Sequence, residues 1–325
     1  MNRFRNHIGG PTMKATAGWL LCGATAMVAC QSNLMEPSQG DIAGESQNGE
    51  SVATSADAVT FTQDFYDSFD GTALNSGNWQ AQVLWVNNEL QCYDNNYNEG
   101  GGHRTVEVSN SSLKLRVVDS GTVSNCDNYD KNGAKHPNTR YKGGRIASKN
   151  RKEFARGRFT ARLKLYTWKT NNTVGQASGV SGMFPTWWLL GYRNNESPVQ
   201  ESNENVCWPM SGSGEIDIME HYGNNGQNGF AARGIKNLNY CNGGDWQVYQ
   251  KSLGSDLSNF HEYQVDYSGS DMIYRIDNGE VARTGGIAGN YTEPMFMILN
   301  YALNANMASG YKEYAMEIDW ARHEY

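Results

Sequence analysis

From Val59 onward the chain predicts an all-β fold, a sandwich or barrel of many antiparallel strands. Three observations carry this. Short runs alternate apolar and polar residues with period two. Clusters of Asn, Gly, Asp and Ser separate the runs, and no stretch sustains a helical period over three turns. Residues 105–109, 113–118, 158–165 and 263–267 alternate in this way. Residues 272–279 read as a strand entering an Asn278-Gly279 turn. Many short antiparallel strands within one length of about 270 residues fit a single sandwich or barrel domain.

The first 58 residues are of another kind. Lys14 followed by the apolar run from Ala17 to Ala29 has the layout of a signal peptide, and the run is too short for a bilayer-spanning helix. Met13 is an alternative start to Met1. The run ends at Met27-Val28-Ala29-Cys30, which resembles a bacterial lipobox with Cys30 as the acylated residue; plain secretion is the alternative. Residues 31–58 contain almost nothing large and apolar, so they cannot bury enough surface to offset the entropy of ordering and are expected to form a disordered linker. The organisation expected is thus 1–30 signal peptide, 31–58 linker and 59–325 folded domain.

Net charge is −7. The first thirty residues carry Arg3, Arg5 and Lys14 and no acid, so what remains stands three units lower, at −10. That balance argues against nucleic acid as a partner. Charged residues are only 19% of the chain whereas Gly, Tyr and Trp are plentiful, a composition that suits an exported β-protein with wet aromatic clefts. Setting aside Cys22 and Cys30 leaves Cys92, Cys126, Cys207 and Cys241. An even number in an exported chain suggests two disulfides, with three possible connectivities.

The stretch Glu215-Ile216-Asp217-Ile218-Met219-Glu220 interleaves three carboxylates with three apolar residues. On a strand, Glu215 and Asp217 share one face and Ile216 and Ile218 the other. Strict alternation would send Glu220 into the core, where an unpartnered carboxylate costs several kcal/mol. One extra residue, a β-bulge at Ile218-Met219, returns Glu220 to the acidic face and turns both Ile218 and Met219 inward. Three carboxylates in a row suit a retaining glycosidase. Glu215 would be the nucleophile and Glu220 the acid/base, with Asp217 between them. Like charges this close cannot all ionise, so one group must hold its proton at higher pH. A solvated strand face and a calcium site built from the same acids are the alternatives.

These residues, preceded by Trp208-Pro209 and Ser213-Gly214, resemble the catalytic signature of glycoside hydrolase family sixteen, which includes laminarinases, lichenases, agarases, porphyranases and κ-carrageenases. Other segments agree in the family's order: 67–71 through Trp79, 87–91, 143–148 with 157–159, 185–191, 260–263, 294–300 and 318–322. The resemblance runs from about residue 60 to the C-terminus. It implies a β-jelly roll of two antiparallel sheets with an open concave carbohydrate cleft. It also implies that Asn88 and Arg145 contact sugar hydroxyls and that Trp188 faces the cleft while Trp187 faces the core. Trp208, on the approach to the acidic strand, is a second stacking candidate, since sugar rings present apolar faces to aromatic side chains. His261 is expected to be structural. Family habit suggests a structural calcium ion at Asp319 with backbone carbonyls, and no cofactor for catalysis.

Three departures bear on substrate. Residues 304–307 (Asn-Ala-Asn-Met) stand where laminarinases have two Gly and a Trp. The strand at 231–235 lacks a His, and Thr160 replaces a frequent Glu. The expectation is a retaining endo-β-glycanase for β-1,3-glucan or mixed β-1,3-1,4-glucan, monomeric, secreted or held at the outer membrane only by a lipid at Cys30. The alternatives are the same chemistry on agar, porphyran or carrageenan, or a non-catalytic polysaccharide-binding sandwich.

Overall fold

A computed structural model describes residues 60–86, 88–98, 103–130, 133–193, 214–223 and 257–325, together with the backbone of 230–235 and 246–251. Cys30, Cys207, Trp208, Cys241 and the expected signal and linker segments lie outside the described residues. The described strands, in chain order, are β1 (Gln63–Asp67), β2 (Gln80–Ala81), β3 (Cys92–Tyr93), β4 (Val106–Ser109), β5 (Ser112–Ser124), β6 (Thr139–Gly143), β7 (Arg145–Ala147), β8 (Arg158–Lys169) and β9 (Val174–Gln176). They continue as β10 (Met183–Gly191), β11 (Glu215–Glu220), β12 (Phe230–Ile235), β13 (Trp246–Lys251), β14 (His261–Asp266), β15 (Met272–Ile276), β16 (Gly279–Thr284), β17 (Met295–Leu303) and β18 (Tyr311–Glu324).

They form two sheets. One runs β16-β15-β14-β8-β18-β5-β6-β3, with β1, β4 and β9 alongside; the other runs β13-β12-β11-β10-β17-β7-β2. Except for the short parallel pair β3–β6, neighbours are antiparallel. The expected all-β sandwich is therefore present, and each alternating run named from the sequence falls on a strand.

Alternation explains why the sheets stack. Leu113, Leu115 and Val117 of β5 and Leu163 and Leu165 of β8 point to the same interior as Trp187 and Leu189 of β10 and Met297 and Leu299 of β17. Each such side chain contributes about 1.5–3 kcal/mol on burial, so the interface between the sheets is the main source of stability. β17 is the longest strand buried along its whole length among those described. All nine of its residues are buried, with Phe296 and Ile298 joining Ala147, Trp188 and Leu190 in a second apolar cluster on the sheet's outer side.

The expected turn after β15 sits one residue earlier than the sequence suggests. Ile276 pairs with Gly279, so the loop residues are Asp277 and Asn278, both at positive φ (49° and 66°). A two-residue hairpin of this kind needs φ > 0 at both positions, and Asp and Asn tolerate it; Gly279 is the first residue of the next strand.

Of the three cysteine pairings open at the outset, the structure contains Cys92–Cys126, with Cα atoms 5.6 Å apart. It ties β3 to the segment before β6. Hydrogen bonds from Asn128 to the Leu84 carbonyl (3.1 Å) and from Thr139 to the Leu90 carbonyl (2.8 Å) lace the same two segments together. The bond closes a loop of sequence separation 34. Replacing both cysteines by Ser is therefore expected to lower stability by about 3–4 kcal/mol on a chain-entropy estimate. Urea unfolding of the two proteins under non-reducing conditions measures this, and equal midpoints would show that the other bonds suffice.

Candidate active site

The acidic strand β11 carries the expected irregularity. Against β10, Glu215, Ile216 and Asp217 pair with Leu190, Leu189 and Trp188, and then Met219 and Glu220 pair with Trp187 and Thr186. Ile218 is thus the extra residue. The same slip occurs against β12, where Asp217 pairs with Arg233 and Glu220 with Ala231. Ile216, Ile218 and Met219 all lie in the interior cluster. Glu215, Asp217 and Glu220 lie on the outer face with their register partners Leu190, Trp188 and Thr186. Glu215 is half-buried, whereas Asp217 and Glu220 are 3% and 6% exposed.

Register extends this face across the sheet. Thr186 stands opposite Asn300 of β17, which stands opposite Arg145 of β7. Asn300 is the hub of a buried polar network. Its Oδ1 accepts from Thr186 Oγ1 (2.7 Å), Trp188 Nε1 (2.8 Å) and Arg145 Nη1 (3.4 Å), and its Nδ2 donates to the Tyr93 hydroxyl (3.1 Å). Tyr93 donates in turn to Glu89 Oε1 (3.2 Å), and Gln91 donates to Glu89 Oε2 (3.1 Å). Burial, reinforced by the Glu89 charge, holds the Tyr93 phenol well above its ordinary pKa, so it stays a donor at neutral pH. Arg145 Nε donates to Gln82 Oε1 at 2.8 Å, and its guanidinium lies 5.0 Å from the Trp188 ring. Buried polar groups are tolerable only when satisfied in this way, because each one left without a partner costs about 1–3 kcal/mol.

The sequence-expected residues separate into groups. Trp188 faces the acids and Trp187 the interior, as the resemblance implies. Trp188 is only 8% exposed, however, packed by Leu190, Phe296 and Ile298 and capped by Arg145. Arg145 has no exposed surface; it holds Asn300 and Gln82 instead of reaching outward. Asn88 is exposed, at φ 54°, beside the buried Glu89. His261 is bonded through Nδ1 to Asp277 Oδ2 at 2.6 Å, a structural contact. Asp319 falls where β18 slips against β8, and its carboxylate pairs with the Arg162 guanidinium. A guanidinium on that oxygen competes with a cation, and no group of three or more His, Cys, Asp or Glu side chains converges among the described residues. As placed, the Asp319 carboxylate is held by Arg162.

Sequence reasoning missed Asn300, Thr186, Gln82 and Tyr222. A signal existed for two of them. Asn300 is the single amide in the apolar run of β17, and Tyr222 continues the period of the acidic face two residues past Glu220. Thr186 and Gln82 join only through register.

No family model matches the chain. It is 24% identical over 285 residues to glucan endo-1,3-beta-glucosidase A1 of Niallia circulans, a match covering 79% of this chain but only 36% of that protein. The chain therefore spans about a third of that relative. It is also 24% identical over 281 residues to a glucan endo-1,3-beta-glucosidase of Cryptopygus antarcticus, covering 81% and 88% of the two chains. Among solved structures it superposes on the LamA catalytic domain of Zobellia galactanivorans with a TM-score of 0.63 at 23% identity, over 81% of this chain and 98% of that one. A LamA variant from the same organism, matched at the same score and identity, was solved with laminaritriose and laminaritetraose. The chain has the jelly-roll fold of the glycoside hydrolase family sixteen laminarinases.

Proposed function

We propose that the chain is a retaining endo-β-glycanase acting on β-1,3-glucan or mixed β-1,3-1,4-glucan. The observation that carries the proposal is the bulge at Ile218, which puts Glu215, Asp217 and Glu220 on one face. Glu215 attacks the anomeric carbon and the bond to the leaving oxygen breaks as Glu220 passes its proton to that oxygen. Water then attacks the same carbon, gives its proton to Glu220 and releases Glu215. Asp217, between them, orients Glu215 and helps keep the first proton on Glu220. The substrate class is supported by the relatives' glucanase activity and by the oligosaccharide-bound LamA variant. Export, with acylation at Cys30, is part of the same reading.

Glu215→Ala and Glu220→Ala are each expected to lose several orders of magnitude in rate on laminarin while staying folded. Azide separates their roles. With the Glu220 variant it intercepts the glycosyl-enzyme and gives a β-azide; with the Glu215 variant it attacks directly and gives an α-azide. NMR of the products showing the reverse would exchange the assignments.

Deleting Met219 shortens the spacing so that an unbulged strand aligns all three acids. It should cost about 2–5 kcal/mol for the lost core side chain yet leave measurable activity. Deleting Ile216 puts Glu215 and Asp217 on opposite faces and should abolish activity. Assays at equal folded concentration compare the two, and equal inactivity with native circular dichroism would mean that the bulge is not what aligns Glu220.

Cys30→Ser should release the protein from membranes or leave it unprocessed. An unmodified mature terminus elsewhere, seen by mass spectrometry, ends the lipid-anchor reading.

A further inference from the structure

Immediately after β11 the chain keeps bonding to β10, through His221 N to the Pro185 carbonyl (3.2 Å) and Gly223 N to the Met183 carbonyl (2.9 Å). Gly223 is required for this path, since a Cβ there would lie 2.2 Å from the Val180 carbonyl oxygen. Tyr222, between these two anchors, projects on the acidic face. Its ring stacks on Phe184 (centroids 5.0 Å apart, planes at 28°) and its hydroxyl donates to Glu220 Oε2 at 2.9 Å. Stacking on Phe184 would be served equally by phenylalanine. The hydroxyl is what needs another explanation.

We propose that Tyr222 is a positioning residue for proton transfer, fixing which oxygen of Glu220 carries the mobile proton. The proposal rests on the acid/base reading of Glu220. A phenol bonded to Oε2 favours Oε2 as the carbonyl oxygen of the neutral acid, so the proton resides on Oε1. In the first step that proton passes from Oε1 to the leaving oxygen as the glycosidic bond breaks. In the second, the proton taken from water returns to Oε1. The carboxylate left in between accepts a charge-assisted bond from Tyr222, stronger than the bond the neutral acid accepts.

The other groups on this face are constant between the variants compared. Glu215 and Asp217 share the strand, Thr186 opposite Glu220 is uncharged, and Ala231 is its partner on β12. Arg233 of β12 stands at the register position opposite Asp217. Asn300, Arg145, Tyr93 and Glu89 lie beyond Thr186, and His221 is buried.

Tyr222→Phe keeps the stack and removes the donor. Because the lost bond favoured the ionised carboxylate, the midpoint of Glu220 should rise, by about half to one pH unit. The direct readout is a carbon-13 carboxyl titration of the whole chain, with Glu220 assigned by its absence in Glu220→Gln. It needs no activity, and an unchanged midpoint overturns the proposal. Kinetics give a second readout. On aryl β-glycosides of laminaribiose, kcat/KM should fall about tenfold for phenol, which needs protonation, and less than about twofold for dinitrophenol, which does not. The alkaline limb of the phenyl profile should move to higher pH. An equal loss on both substrates with an unmoved limb assigns Tyr222 a packing role only. If wild-type protein cleaves neither substrate and also fails on laminarin, the glycosidase reading fails and takes the proton-transfer role with it, whereas a raised midpoint would still show the Tyr222–Glu220 bond.

Discussion

A strand cannot bury a lone carboxylate, and the site follows from that constraint. Period two would place Met219 outside and Glu220 inside. Inserting Ile218 as a bulge buries Ile218 and Met219 together and returns Glu220 to the outer face. The cost is one slipped position in the ladder with β10 and another with β12. The gain is one further apolar side chain in the core, Met219, contributing about 1.5–3 kcal/mol, and a polar setting for the buried Glu220, whose carboxyl accepts from Tyr222 instead of lying unpartnered in the interior. The same slip sets Trp188 opposite Asp217 and Thr186 opposite Glu220.

Thr186 is also where the acids meet the rest of the sheet. It donates to Asn300, and Asn300 gathers Trp188, Arg145 and Tyr93 around it. This network joins the two sheets, because Tyr93 belongs to β3 and Asn300 to β17. The Cys92–Cys126 disulfide adjoins Tyr93, so the covalent link and the polar network reinforce one region. Such a network is rigid when complete and costly when broken, which makes it a support for precise placement of the acids. On the other sheet, Asp319 takes Arg162 as its partner, at the position where family habit would set a calcium ion.

The alternation of 105–109, 113–118, 158–165 and 263–267 determined the all-β class, because a period of two admits no other regular structure with a buried face. The spacing Glu-x-Asp-x-x-Glu determined the bulge, since local burial energetics leave a single acceptable register for the acids. The allocation of Trp187 and Trp188 to opposite faces also follows from the sequence, their order in chain being enough. Tertiary structure decided the rest. Arg145 reads as a ligand for sugar hydroxyls until β7 and β17 place it over the Trp188 ring and against Asn300, where it has no outer surface. The pairing of Cys92 with Cys126 depended on which segments pack together, and four cysteines alone leave three choices. Tyr222 becomes a partner of Glu220 only because Gly223 lets the chain press against β10 beyond the end of the strand. Local periodicity acts over a few residues and is legible in order. Contacts between residues far apart in the chain, such as Tyr93 with Asn300 or Arg145 with Gln82, exist only once the sheets are stacked.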